Sequence, residues 1–357
     1  MTTLIPPAPG APADGSATAS TVTALRHRRR RRLALVLGAV AAALVVVATL
    51  ALTLGEASLP AGRALAALFG VGDDGDVFVV HRLRLPRIET ALLAGVAFGL
   101  AGALFQSTLR NPLASPDILG IASGASLGAV WALLVAGLTG LAVAGAAFAG
   151  ALGVALLIWV FAWRRGLHSI RFVLVGVGFA YLCSSLLAWL LASADVREAQ
   201  SALLWTVGSV ADVRGAELAT LAVGVVVLAA AVSGIARWQG PLALGDDHAR
   251  GLGVPVDAAR VGSLLLAVGL VAVATAFVGP LAFVALVSPS IARRLVDDGG
   301  PALLASAGVG ALLVLTADVV GQHLLFGVEA PTGIVTGIVG APYLLWLLAT
   351  DGRKSLA

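Results

Sequence analysis

Long runs of apolar residues, separated by short polar breaks, set the main constraint on this sequence. The first run extends from Leu33 to Leu54, and comparable runs recur almost to the C-terminus. A helix of about 20 apolar residues crosses the ~30 Å hydrocarbon core of a membrane. Backbone groups must be paired within lipid, and these runs are too long and too uniformly apolar for barrel strands. The sequence therefore predicts an all-α polytopic membrane protein.

Composition agrees with this fold class. Hydrophobic residues make up 59% of the chain and charged residues only 12%, whereas an ordinary soluble domain carries about 25% charged residues. The runs predict about ten membrane-spanning helices. They are 33–54, 88–109, 119–137, 140–163, 170–193, 218–236, 259–279, 281–295, 302–320 and 331–349.

The seventh and eighth predicted spans come from one continuous run, Ala259 to Leu295. This run is too long for a single crossing, and Gly279-Pro280 supplies a natural bend, so we divide it there. The second part is short and contains Ser288-Pro289-Ser290. We expect irregular backbone in this part, buried among neighbouring helices.

The N-terminal segment differs from the rest of the chain. Residues 1–25 are rich in Ala, Pro, Thr and Ser without apolar periodicity, and the basic run RHRRRRR occupies 26–32. We interpret 1–32 as a disordered basic cytoplasmic tail and 33–357 as the transmembrane domain. A cleaved signal peptide is the alternative. The first apolar run exceeds the roughly 7–15 residues of a signal's apolar region, which favours a retained span.

The distribution of basic residues indicates the orientation. With the N-terminus inside, the outer segments contain only Arg63, Arg82, Arg84, Arg87, Arg197 and Arg214, and the inner segments contain the other basic residues. This asymmetry follows the positive-inside rule. A nine-span arrangement would leave Arg353 and Lys354 outside, so we expect both termini in the cytoplasm. The same distribution explains the net charge of +4 better than nucleic-acid binding does.

Several kinds of chemistry lack support in the sequence. It has no G-x-x-x-x-G-K-[ST] motif, so no P-loop for ATP, and no H-E-x-x-H motif. The five histidines are scattered, and Cys183 is the only cysteine. We therefore predict neither a metal site nor an intrachain disulfide.

Asp318 is the clearest ionisable residue within the apolar runs, and Gln322 and His323 follow it closely. Carboxylates in membrane spans are costly, which makes Asp318 a candidate functional residue. The favoured interpretation is that it caps or pairs with a neighbouring helix near the outer interface. A proton relay is the alternative, but a single acidic residue is weak evidence for a proton-driven carrier.

Small residues occupy one face of several predicted spans, as in LLAGVAFGLAGALF (Leu92–Phe105) and VLVGVGFAYLCSSLLAW (Val173–Trp189). Such faces allow close helix packing, which we favour over a cavity lining. Ser184 and Ser185 either face a pathway or bond to a neighbouring backbone. The residues alone leave both interpretations open.

The stretch RNPLASPDILGIASGAS, residues 110–126, interrupts the apolar pattern between the second and third predicted spans. Pro112 and Pro116 exclude a continuous helix here, and the predicted topology places the turn at the cytoplasmic face. Asp117 is suited to cap the next helix. An elaborate loop cap and a gate are equally consistent with these residues.

Four segments in order along the chain resemble the signatures of FecCD-type permeases. They are LRLPR (Leu83–Arg87), GALFQSTLRNPLASPDILGIASGA (Gly102–Ala125), LGDDHARGLGV (Leu244–Val254) and FVGPLAFVALVSPSIARRL (Phe277–Leu295). These permeases are the membrane subunits of bacterial ABC importers for iron-siderophore complexes, haem and cobalamin. The resemblance runs from about Leu33 to the C-terminus and leaves only the N-terminal tail outside it.

The resemblance implies a type II ABC importer permease bundle in the cytoplasmic (inner) membrane. Such a subunit pairs with a second permease, identical or paralogous, and is joined by two ATPase subunits and an extracytoplasmic siderophore-binding protein. ATP and Mg are bound by the ATPase, so no cofactor is expected in this chain. The absence of a P-loop agrees with that division of roles.

The resemblance also implies roles for individual residues. Asn111, Pro112 and Leu113 match the cytoplasmic gate, and Arg84 and Arg87 match outer arginines that dock the binding protein, whereas a third basic position of that pattern is Gln322 here. Within the loop at about 238–258, the segment that couples to the ATPase is Gly245, Asp246, Asp247, His248, Ala249, Arg250, Gly251, Leu252 and Gly253.

The expected substrate is a ferric siderophore complex of catecholate type, since the sequence looks most similar to ferric-enterobactin permeases. Cobalamin or haem transport within the same family is the alternative. A proton-coupled secondary transporter and a membrane scaffold that transports nothing are less favoured. The first would leave GDDHARGLG unexplained, and the second would leave the break at 110–126 without a purpose.

Overall fold

The structure, a computed structural model, describes residues 15–55, 59–117, 119–162, 169–297, 299–323 and 328–354. Within these ranges the regular structure is helical throughout, with a π-helical turn at Val79–Arg84. The α-helices are α1 (Gly15–Thr53), α2 (Ala61–Leu68), α3 (Asp74–Phe78), α4 (Leu85–Leu109), α5 (Ile121–Leu134), α6 (Leu141–Ala162), α7 (Ser169–Ser193), α8 (Val196–Val207), α9 (Ala216–Ala243), α10 (Asp246–Gly251), α11 (Val256–Val278), α12 (Val284–Val296), α13 (Leu303–His323) and α14 (Thr332–Lys354).

The all-helical class is confirmed over the described ranges. Seven helical segments there are long and apolar enough to cross a membrane, and they belong to α1, α3–α4, α6, α7, α9, α11 and α13. Two shorter apolar helices are α5 and the Thr332–Leu347 part of α14, and α12 has 13 residues. Each predicted span therefore coincides with a helix, although the number of complete crossings stays a prediction.

Two local expectations differ from the structure. The first helix begins at Gly15, so residues 15–32 of the expected tail are helical, and residues 1–14 lie outside the described ranges. The irregular backbone expected in 281–295 is confirmed only at its start, where residues 281–283 are not helical and Phe283 lies at φ +65°, whereas α12 continues through Pro289 as a helix. The hydroxyl groups of Ser288 and Ser290 donate to the carbonyls of Val284 and Leu286, one turn back. The division between α11 and α12 falls where Gly279-Pro280 predicts it, with Gly279 at φ +68°.

Helix α4 lies at the centre of the bundle, and most of its residues are buried. Its large side chains Phe98, Leu104 and Phe105 are fully enclosed. Neighbouring helices α9, α11, α12 and α13 pack around it. A side chain at either end of α4 therefore lies close to several other helices.

Glycines place the backbones of α4 and α13 in direct contact. A Cβ atom added to Gly95 would lie 2.4 Å from the carbonyl oxygen of Gly310, and one added to Gly310 would lie 2.1 Å from that of Gly95. Gly102 faces the Ala285 carbonyl of α12 at still closer range. The small-residue face of Leu92–Phe105 thus packs helices together, as its composition predicts.

Substitution of Gly95 tests this contact. Because a methyl group has no room against the Gly310 backbone, we expect Gly95→Ala to lower the free energy of unfolding by about 1–3 kcal/mol. Gly153→Ala on α6 is the matched control, since nothing lies within 4 Å of an added Cβ there. The control is expected to be neutral or stabilising by up to about 1 kcal/mol. Thermal unfolding in detergent measures both, and equal midpoints for the two variants would contradict the packing argument.

Candidate functional site

The short helix α10 projects from the bundle between α9 and α11. Gly245 precedes it at φ +109° and Gly253 follows it at φ +78°, backbone angles that favour glycine. Ala249 is buried and packs with Leu242, Val254, Val256, Ala259 and Trp238. The side chains of Asp247, His248, Arg250 and Leu252 are exposed. The predicted coupling segment is therefore a helix that is anchored on one face and available to a partner on the other.

Asp246, the first residue of α10, connects this helix to two others. Its Oδ1 atom accepts hydrogen bonds from the guanidinium groups of Arg110, at the end of α4, and Arg260, on α11. The Arg260 bond is 2.7 Å long. Arg110 also donates to the Leu242 carbonyl of α9 at 3.0 Å. One carboxylate thus joins α10 to the helix that leads into the predicted gate.

Sequence reasoning includes Asp246 in the coupling segment but does not join Arg110 or Arg260 to it. The only signal in the sequence is that two basic residues lie at the ends of apolar runs predicted to face the same side of the membrane as Asp246. Arg110 and Asp246 are 136 positions apart. Their pairing becomes evident only once the helices are packed.

Buried polar groups hold the last turns of α4 on two further sides. Gln106 donates to the Leu286 carbonyl of α12 at 3.1 Å and accepts a bond from Arg293. Ser107 donates to Gln239 of α9, which in turn donates to Ser263 of α11 at 2.7 Å. The C-terminal end of α4 is therefore fixed to α9, α11 and α12 just before the predicted gate.

The predicted gate residues form a tight turn directly after α4. Arg110 ends the helix in the left-handed conformation, at φ +49°. The side-chain oxygen of Asn111 accepts the Leu113 N–H at 2.9 Å, which closes a local side-chain turn. Asn111 and Pro112 are exposed and Leu113 is half-buried. The break is thus an ordered turn that faces the surface of this chain.

Asp117 does not cap the next helix, contrary to the expectation from its position. Gly120 is the residue before α5, and no side chain caps that helix. The carboxylate of Asp117 instead accepts a hydrogen bond from the Ser115 hydroxyl at 3.2 Å. Burial raises the pKa of Asp117 from 3.8 to about 6, and the Ser115 bond lowers it by less. The turn therefore contains an acidic group that titrates close to neutrality.

At the opposite end of α4, Arg87 forms a buried ion pair with Asp318 of α13. The Nε and Nη2 atoms of Arg87 lie 2.8 and 2.9 Å from the two carboxylate oxygens. Gln322 and Thr332 donate the third and fourth hydrogen bonds, at 2.7 and 3.0 Å. The Asp318 side chain is only 3% exposed. Pairing with a neighbouring helix, the favoured interpretation of Asp318, is confirmed.

The two arginines predicted to dock a binding protein are both engaged within this chain. The guanidinium group of Arg84 donates to the Leu52 carbonyl at the end of α1 and lies against Gly55. Arg87 is held by Asp318, and 21% of its side chain is exposed. An acidic group on a partner would therefore have to compete with Asp318 for Arg87.

Hydroxyl groups line one small cavity of about 210 Å³ between α5, α7 and α8. Ser123, Ser126, Ser184 and Thr206 contribute to its wall. Ser184 thus lines a cavity, and its position along a transport pathway stays a prediction. Among the described residues, no group of three or more His, Cys, Asp and Glu side chains is placed to hold a metal ion.

Comparison with known proteins identifies the family. The model of the FecCD transport family matches residues 43–350. The chain belongs to the FecCD transport family. This confirms the family predicted from four sequence segments, and it makes the chain a multi-pass membrane permease of the ABC importer type.

Two relatives and one solved structure extend the comparison. Ferric enterobactin transport system permease protein FepG of Escherichia coli (strain K12) is 38% identical over 303 residues, which cover 85% of this chain and 92% of FepG. Achromobactin transport system permease protein CbrC of Dickeya dadantii (strain 3937) is 39% identical over 302 residues, 84% of this chain and 86% of CbrC. A structure described as an inward-facing conformation of a metal-chelate type ABC transporter matches with a TM-score of 0.78 and 27% identity, over 88% of this chain and 98% of its own.

Removal of one partner of the Arg87–Asp318 pair is expected to destabilise this FecCD-family permease. Arg87→Leu leaves a buried carboxylate unpaired, which costs about 3–5 kcal/mol, whereas Arg87→Leu with Asp318→Leu regains part of that loss. Asp247→Asn is the control, because the Arg250–Asp247 pair is exposed and 3.4 Å long. Unfolding in detergent measures all variants. A double variant no more stable than Arg87→Leu would argue against a buried ion pair.

The raised pKa of Asp117 predicts a pH dependence of stability. The folded state binds this proton more tightly than the unfolded chain, so the associated stability is present at pH 4 and is lost as pH rises through about 6. Asp117→Asn is therefore expected to be more stable than the native protein at pH 7.5, by up to about 3 kcal/mol for a shift of roughly two pKa units, and nearly equal to it near pH 4. The exposed Asp212→Asn serves as control and should show no difference at either pH. A difference independent of pH would refute the assignment to Asp117.

Proposed function

We propose that this chain is the membrane permease subunit of an ABC importer that moves ferric siderophore complexes, of catecholate type, across the cytoplasmic membrane. It works with a second permease, identical or paralogous, two ATPase subunits that bind ATP and Mg, and an extracytoplasmic siderophore-binding protein. Membership of the FecCD family and the similarity to FepG support this proposal. The observation that carries it is the Asp246 connection between α10 and the end of α4.

Helix α10 has the properties expected of a coupling element. It presents exposed side chains of both charges together with Leu252, an exposed apolar side chain. A groove on an ATPase accommodates such a helix through Leu252, while Asp247, His248 and Arg250 supply polar contacts at its rim. A motor shifts a two-state equilibrium only by contacting the two states differently. An exposed helix on an anchored base provides that contact.

The route from α10 to the gate is short. Movement of α10 acts on Asp246, and through Asp246 on Arg110 and Arg260. Arg110 immediately precedes Asn111-Pro112-Leu113, so displacement of its guanidinium also turns the proposed gate. Hydrolysis of ATP on the partner subunit thereby alternates the pathway between outward and inward openings.

Docking of the binding protein is proposed at the outer end of α4, near Arg84 and Arg87. Acidic residues on the binding protein would approach the exposed edge of Arg87 and compete with Asp318 for its guanidinium. Rim charges of this kind affect encounter and register more than affinity. The four donors around Asp318 also weigh against the rival proton-coupled carrier, because they occupy both of its oxygens.

The catecholate assignment rests on similarity alone. FepG, named for ferric enterobactin, and CbrC, named for achromobactin, are equally similar to this chain within one percentage point of identity. The cargo class is therefore tested by uptake of radiolabelled iron in cells with and without this gene. We expect loss of ferric catecholate uptake, dependent on ATP, with cobalamin uptake unchanged. Dependence on the proton gradient, or loss of cobalamin uptake alone, would contradict the proposal.

Coupling is tested in the same cells with variants of α10. Asp246→Asn is expected to reduce uptake about tenfold, since coupling free energies usually correspond to factors of roughly 5 to 150. Arg250→Ala with Leu252→Ala should leave ATPase activity uncoupled from uptake. Asp257→Asn, an exposed carboxylate near the start of α11, is the matched control. Normal uptake in the Asp246 and α10 variants would exclude the proposed route.

A further inference from the structure

Helix α1 extends on its N-terminal side beyond its apolar residues, which begin at Leu33. Leu33 and Leu37 pack against a buried cluster that includes Ala292 and Val296 of α12. The helix then runs without interruption through Arg32 towards Gly15. The arginine run is therefore mounted on a helix that emerges from the apolar layer.

Arg32 fixes the position of the arginine run along the axis of α1, because its side chain is bound to the end of α12. Its Nη1 atom lies 2.9 Å from Asp297 Oδ2, and its Nε donates to the Leu295 carbonyl at 2.9 Å. Both partners are at the cytoplasmic end of α12. Nearby, the Arg294 guanidinium stacks 4.6 Å from the ring centre of Trp346, and tryptophan is characteristic of the membrane interface. The arginines that precede Arg32 consequently begin at the headgroup layer.

The geometry of the run matches that layer. Residues 28–31 are consecutive and exposed, and at about 100° per residue they point in all directions around the helix. From Arg28 to Arg32 the helix rises only about 6 Å. Each headgroup region of a bilayer is about 5–7 Å thick. The run is thus as tall as the layer and basic around its whole circumference.

We propose that Arg28, Arg30 and Arg31 bind the phosphate groups of anionic phospholipids in the cytoplasmic leaflet. A groove on a folded partner contacts one side of a helix, whereas a fluid layer of phosphates contacts every side at once. Guanidinium groups bind phosphate oxygens through paired, charge-assisted hydrogen bonds. Basic clusters immediately cytoplasmic of a membrane span recognise anionic lipid for these reasons. This inference is independent of the transported substrate.

The test uses the full chain in nanodiscs of equal parts phosphatidylcholine and phosphatidylglycerol. Lipids retained after detergent extraction are counted by native mass spectrometry. Arg28→Gln, Arg30→Gln and Arg31→Gln together are expected to lower the ratio of retained phosphatidylglycerol to phosphatidylcholine at least tenfold, because each arginine near an anionic surface contributes about fivefold. In 1 M salt, where the screening length falls to about 3 Å, the native protein should lose the same preference.

Two further variants keep the test decisive. Arg82→Gln, Arg197→Gln and Arg214→Gln remove the same charge from exposed positions of the predicted outer segments, and the ratio should not change. Arg28→Lys, Arg30→Lys and Arg31→Lys preserve the charge, and most of the preference should persist. An equal loss in both glutamine triples would overturn the proposal. An unchanged ratio of phosphatidylglycerol to phosphatidylcholine in the variant with Arg28→Gln, Arg30→Gln and Arg31→Gln would also overturn it. So would the finding that this variant loses co-purifying nucleic acid and no phospholipid.

Discussion

Polar groups buried in a membrane bundle must be paired within the protein, because lipid offers no hydrogen bonds. Helix α4 meets this constraint at both of its ends. The N-terminal end has the Arg87–Asp318 pair, and the C-terminal end has Gln106, Ser107 and Arg110. From Ala91 to Phe105 the helix is apolar, and it approaches α13 through glycine. The central helix is therefore held by polar contacts at its ends and by backbone packing along its length.

This arrangement separates rigid from adjustable parts of the molecule. The backbones at Gly95 and Gly310 lie so close that neither position has room for a Cβ atom, so this part of the α4–α13 contact is tightly packed. At the C-terminal end of α4, by contrast, the links to Asp246 are side-chain hydrogen bonds near the surface, and Asp246 is half-buried. Such bonds exchange partners at modest cost. The junction of α4, α10 and α11 is accordingly the more adjustable contact, and it is where the proposed ATPase partner would act.

The sequence predicts the helices well and their contacts poorly, for a physical reason. Apolar length and prolines determine where helices begin and end, so the ten predicted spans coincide with helices and the α11–α12 division lies at Gly279-Pro280. Pro289 does not end a helix as its sequence position predicts. The hydroxyl groups of Ser288 and Ser290 donate to carbonyls within α12, and Pro289 is buried among neighbouring helices. The prediction that Asp117 caps α5 is wrong, because a turn that contains two prolines places its carboxylate against Ser115. Arg110–Asp246 depends on packing of distant segments, which local patterns do not encode.

The ion pair at the N-terminal end of α4 also has a consequence for biosynthesis. Arg87 and Asp318 are separated by 231 positions. A ribosome that adds about 5–20 residues per second needs roughly 10–50 s to make the intervening chain. During that interval the span containing Arg87 is already made, while the aspartate that neutralises it does not yet exist. Until then we expect the Arg87 guanidinium to extend towards the aqueous interface, as long basic side chains do at the ends of membrane spans. Insertion of α13 then completes the pair, so the final position of α4 is set late in synthesis.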